Sequence, residues 1–205
     1  MGILLEADYK GVLSGRESPI AGLQKAFSSA KGQSPNPLER KNGDGFKPPE
    51  SASQLTYEMM NRDSAILLAK EAVKENVPAF GYISAAGGAP VLPSRYITTK
   101  RDAEHVIARE FPTMRSVFFR APFMYDSSRA MTVPMAAMTT AGAIFNGLTR
   151  GVLNDFLGAA GTKALKADDV AEAVVEALSD ETVQGPINPA GLEELAAKSW
   201  RKTML

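Results

Sequence analysis

VPAFGYISAAGGAPVLPSRYITTKRDAEHVIAREFPTMRSVFFRAP, residues 77–122, is the stretch whose reading decides the fold. Val77 to Ser84 is a short apolar run that ends in the turn-rich Gly87-Gly88-Ala89-Pro90, the pattern of a buried strand. Tyr96 to Phe111 has the length and periodicity of a helix. Ser116 to Arg120 (SVFFR) is a second strand, closed by Ala121-Pro122. Upstream, Thr56 to Glu75 reads as a helix, with Ala65, Leu68 and Ala72 on one stripe beside Ile66, Ala69 and Val73. Downstream, Asp168 to Leu178 reads as a third helix, opened by an Asp169/Glu172 capping box and carrying Val170, Val174, Ala177 and Leu178 on its apolar face. Helix, strand, helix, strand, helix predicts an α/β fold: a parallel sheet with helices on its flanks.

Composition excludes several function classes. The 205 residues carry 23 Lys+Arg against 23 Asp+Glu, so no bulk positive field draws nucleic acid. With no cysteine there is no disulfide framework, thiolate metal site or cysteine nucleophile. The single histidine, His105, leaves no zinc cluster and no ordinary Ser-His-Asp triad; it is expected on an exposed helix face, and no metal is expected. Ser28 to Gln54 is rich in Pro, Gly and Ser and reads as a flexible loop within one partial domain spanning 1–205. Ala130 to Thr149 has no charge, but its threonines, glycines and Pro134 argue for a buried or surface-lying segment rather than a transmembrane helix. Its Met131, Met135 and Met138 would suit either a core helix or a lid over an apolar substrate. Trp200 in the tail Ser199 to Leu205 is expected to dock the C-terminus.

Four residues have the types and spacing for chemistry. Tyr96 and Lys100 stand one helical turn apart, where an ammonium beside a phenol stabilises the phenolate and lowers its pKa. A phenol tuned in that way exchanges a proton with a carbonyl or alcohol. Ala103 and Ile107 continue this face, which predicts that it points inward. The bland alternative is a helix start with an aromatic staple and a solvated lysine. Ser84, at a strand end, is placed to orient a carbonyl or to cap a turn. Asn61, in mid-helix, either relays a water toward Lys100 or is an exposed polar residue. Arg120 reads equally as a phosphate contact in a longer homologue and as half of a structural ion pair.

Asn61, Ser84, Tyr96 and Lys100 stand in the order found in the short-chain dehydrogenase/reductase family, and RAPFMYD (120–126) resembles the segment that follows the next strand in its extended and atypical members. GILLE near the start, LTYEMMNRDSAILLA, PSRYITTKRDAE and the DDVA of residues 168–171 resemble the branch of fungal mitochondrial coenzyme Q (ubiquinone) biosynthesis proteins, related to the NAD(P)H-binding accessory subunit of respiratory complex I. The resemblance implies a Rossmann-like NAD(P)-binding fold. It implies Tyr96 as general acid/base, Lys100 as its tuner and ribose ligand, Ser84 as carbonyl orienter and Asn61 as water relay, with Tyr96, Lys100 and Pro122 at the cofactor. It further implies an oxidoreductase of ubiquinone biosynthesis, in company with other coenzyme Q proteins, associated peripherally with the matrix side of the mitochondrial inner membrane.

The family opens on strand, G-x-x-G-x-x-G and helix, which hold the cofactor pyrophosphate, and the 205 residues contain no such element. Gly142, Gly147 and Gly151 have the wrong spacing. The expectation is therefore an N-terminally truncated domain that does not itself bind NAD(P). The alternative to an enzyme is a non-catalytic scaffold or assembly subunit of a mitochondrial membrane-associated complex, or an inactive fragment.

Overall fold

A computed structural model describes residues 36–39, 56–87, 94–126 and 163–204. A π-helical turn, Glu58–Asp63, leads into helix α1, Ser64–Lys74. Strand β1 is Ala79–Ala85, helix α2 Ser94–Glu110 and strand β2 Arg115–Ala121. Two short strands follow, β3 (Met124–Tyr125) and β4 (Leu165–Lys166). Helix α3 is Ala167–Ser179, strand β5 Gly185–Ile187 and helix α4 Pro189–Thr203. The main sheet runs β1-β2-β5, all parallel, with Ala79 opposite Arg115 and Val117 opposite Gly185; β3 and β4 form a separate parallel pair.

Alternation along the strands builds two cores. Phe80 and Phe118 point to one face, where Ala65, Ile66, Ala69, Ala103, Val106 and Ile107 of α1 and α2 cover them. Val117, Phe119 and Ala121 point to the other, packed with Ile187 under Val170, Ala173 and Ala177 of α3 and Leu192 and Ala196 of α4. A parallel sheet covered on both faces is why SVFFR is an unbroken apolar run rather than an alternating one.

Local chemistry sets the element ends. Asn76 takes a left-handed φ of 54°, which asparagine tolerates better than most residues. That turn lets the Asn76 N–H donate to the Val73 carbonyl and the Val77 N–H to the Ala72 carbonyl, closing α1 as a Schellman motif before Pro78. At α4 the Asn188 side chain accepts from the Gly191 N–H at 2.8 Å and Pro189 occupies the first turn. The C-terminal end of α3 is held by Arg115 of β2, whose guanidinium donates to the carbonyls of Ala177, Leu178, Asp180 and Val183 at 2.8–3.2 Å.

Several expectations need correction. The Asp169/Glu172 capping box does not form: α3 begins at Ala167, directly from β4, and its cap position is Lys166, three residues before Asp169, with no side-chain hydrogen bond. Asp168 and Asp169 lie instead in the first turn, where carboxylates complement the helix dipole. Trp200 does not dock the tail; it is 56% exposed on α4, a helix that the sequence reading left unassigned. Within the stretch read as a loop, Pro37–Glu39 forms a 3-10 turn and Leu38 packs against the α1–α2 core. Apart from residues 36–39, the stretch 28–54, and all of 130–149, lie outside the described residues. No described helix is long and apolar enough to cross a membrane.

Candidate functional site

The carboxyl ends of β1 and β2 meet the inward face of α2, and the residues singled out from sequence gather there in two linked groups. The first surrounds Lys100. Its Nζ donates to the Ile83 carbonyl of β1 at 3.0 Å, and lies 5.2 Å from the Tyr82 ring centre and 5.7 Å from that of Tyr96. Tyr96 packs edge-on against Tyr57, with ring centres 6.1 Å apart. The Tyr82 hydroxyl donates to the Asn61 backbone carbonyl at 2.6 Å. Asn61 is fully buried on the π-helical turn, so it is not an exposed helix polar residue. π-helical turns recur at functional sites because they displace side chains from the regular α-helical positions. Beside it, Glu58 of the same turn pairs with Arg95 of α2 at 2.5 Å.

The second group is centred on Glu104, which is buried one turn beyond Lys100. The Ser84 hydroxyl donates to Glu104 Oε1 at 2.5 Å. Arg101 Nη1 donates to both Glu104 Oε1 (2.6 Å) and Ser84 Oγ (3.0 Å), and its Nη2 to the carbonyls of Ala85 and Ala86. Arg120, from β2, donates through Nε and Nη2 to Glu104 Oε2, at 3.1 and 2.6 Å. Of the two readings of Arg120, the described geometry shows the ion pair. Pro122 is buried just past the end of β2, and His105 faces outward as expected.

The electrostatics differ from the tyrosine-activation expectation. Burial pushes the Tyr96 phenol up from its ordinary range, not down. Burial also lifts the Tyr82 phenol, with the negative charge of Glu104 adding to the effect. Lys100 is the group that yields: burial brings its pKa down to about 8, Glu104 opposing the shift and Arg101 adding to it. The lysine's charge is spent on a backbone carbonyl and two ring faces, and Ser84 is spent on Glu104. Sequence reasoning missed Glu104, Arg101 and Tyr82. The available signal was position: Glu104 follows Lys100 by four residues on the same inward face as Ala103 and Ile107.

The fold and site define an α/β protein with a Rossmann-like parallel sheet, whose sheet end is crossed by a buried, charge-rich hydrogen-bond network. The chain is similar to MIOREX complex component 2 of Saccharomyces cerevisiae, with 37% identity over an alignment of 154 residues that covers 69% of this chain and 51% of the relative. The chain thus spans about half the length of the curated relative it matches. No protein-family model matches it. These findings overturn the resemblance drawn from sequence: the relative is named for a complex, and nothing supports membership of the short-chain dehydrogenase/reductase family, an oxidoreductase activity or a part in ubiquinone biosynthesis. A Tyr-x-x-x-Lys on an inward helix face is equally a packing device, and here the lysine ties α2 to β1.

Proposed function

We propose that this chain is a non-catalytic subunit of a mitochondrial, membrane-associated protein complex, acting as a scaffold or assembly component. The observation that carries this reading is the 37% identity to a protein named as a complex component. The site chemistry supports it. Ser84, Lys100 and Glu104 are engaged with one another's elements, so their polar groups lock β1, β2 and α2 together. Peripheral attachment on the matrix side of the inner membrane is part of the same proposal.

The test is native electrophoresis of mitochondria from cells expressing the tagged chain, with carbonate extraction of the membranes. The expected result is a discrete species far above the 21.9 kDa of the chain, released from membranes by carbonate. A monomer-sized band, or absence from purified mitochondria, overturns the proposal.

A further inference from the structure

Two guanidiniums, Arg101 and Arg120, hold the one carboxylate of Glu104, and the Lys100 ammonium feels its charge while bonded to the Ile83 carbonyl, which leaves two positive charges in excess among the described residues of this cluster. Arg101 and Arg120 are not fully withdrawn from solvent: their side chains are 29% and 32% exposed, whereas that of Glu104 is 5% exposed. Among the described residues no partner is found for Arg120 Nη1 or Arg101 Nε. Both guanidiniums sit at the carboxyl ends of parallel strands, where open α/β sheets take their ligands. The backbone beyond β1 is fixed there, since the Ala86 N–H donates to the Ala121 carbonyl at 2.8 Å.

We propose that Arg101 and Arg120, oriented by Glu104 and backed by the Lys100 ammonium, bind a small phosphate dianion at this end of the sheet. A doubly charged ligand neutralises the excess, and guanidinium forks match phosphate oxygens in geometry. Glu104 orients the arginines and also competes with the ligand for them. This assignment stands independently of membership in a complex.

The experiment is calorimetric titration of the full chain with glycerol 3-phosphate, with inorganic phosphate and with acetate, at constant ionic strength maintained with chloride. Saturable binding of both phosphates, at least ten-fold tighter than acetate, is expected. Inorganic phosphate binding as well as the monoester identifies the phosphate group alone as the determinant; a clear preference for the monoester assigns the site to phosphorylated metabolites. Arg120→Gln should weaken binding at least ten-fold. Glu104→Gln should strengthen it several-fold, because both arginines lose their competitor, and this opposite sign keeps the test open if Arg120→Gln does not fold. A bound dianion favours the protonated lysine, so affinity for glycerol 3-phosphate should fall between pH 7 and pH 9 as Lys100 loses its proton, and Lys100→Met should abolish that dependence. The charged and titratable groups facing Lys100 are Tyr82 from β1, Tyr96, Arg101 and Glu104 from α2, and Arg120 through Glu104. Equal affinity for acetate, no saturable binding, or affinities unchanged in both Arg120→Gln and Glu104→Gln overturns the proposal.

Discussion

Lys100 is buried with no carboxylate of its own, and its effect on stability follows from that. Its pKa is about 8 in the folded chain, below the ordinary lysine value of 10.5. Below pH 8 both folded and unfolded chains hold the proton, and the fold bears the full cost of burying the charge. Between pH 8 and 10.5 the unfolded chain holds more protons, so this group's contribution to stability rises with pH. Lys100→Met, which keeps an unbranched side chain one atom shorter, should therefore stabilise the protein at pH 7 by up to about 3 kcal/mol, from the pKa difference at about 1.4 kcal/mol per unit. The advantage over the wild type should shrink toward zero by pH 10.5. Thermal unfolding of both proteins at pH 7, 8.5 and 10 reads this directly; a destabilised Lys100→Met at pH 7 would show that the contact with the Ile83 carbonyl outweighs the burial of charge. Glu104 shows the opposite dependence on partners. Removing it as Glu104→Ala strands two guanidiniums, and a loss of about 3–5 kcal/mol is expected in urea unfolding. A loss below 1 kcal/mol would mean that solvent already serves those arginines. Of these residues, Tyr96 and Lys100 stand out by their one-turn spacing, Ser84 by its strand end and Asn61 by its mid-helix position. The only sign of Glu104 is its place one turn beyond Lys100; its pairing with Arg120 and Ser84, 16 and 20 residues away, leaves no mark in the sequence.

The three helices and two strands assigned from sequence were read with small errors at the ends, whereas β3, β4, β5 and α4 went unread. β1 starts at Ala79 rather than Val77, because Pro78 follows the Asn76 cap and lacks an N–H for the ladder. α4 went unread although Asn188-Pro189 is a cap-and-first-turn signal and Leu192, Leu195 and Ala196 are spaced three and one apart on a helical stripe. The π-helical turn was not legible, since EMMNRD has nothing that distinguishes it from ordinary helix; packing against α2 accompanies it, with the Glu58–Arg95 pair at the contact. At this scale Arg115 is the decisive side chain. Arg115→Met withdraws the donors that satisfy the last carbonyls of α3, and should cost about 1–3 kcal/mol through those unsatisfied groups. Hydrogen exchange should quicken selectively in the last turn of α3 and the residues leading into β5. Uniform acceleration across α1 and α2 would contradict a role confined to that helix end.

Over the whole molecule, local patterns and long-range contacts divide the determination between them. The 205 residues contain no G-x-x-G-x-x-G, so NADPH should bind no more tightly than glycerol 3-phosphate in the same calorimeter. Binding ten-fold tighter would reveal a dinucleotide site and argue against a purely structural subunit. The sequence by itself determined the α/β class, the parallel sheet and the helices over its two faces, because hydrophobic periodicity is set by each element's own geometry and an unbroken apolar strand is stable only when covered on both sides. The caps at Asn76 and Asn188 also depend on neighbours within a few residues, although the sequence reading named neither. Only the tertiary structure decided what the polar residues do. The ammonium of Lys100 turns to a strand carbonyl, the hydroxyl of Ser84 to a buried glutamate, and the half-buried phenol of Tyr96 is raised in pKa by loss of solvent. The physical reason is that a titratable group's behaviour depends on desolvation and on charges brought in from distant parts of the chain, and neither is encoded in the spacing of residues along it.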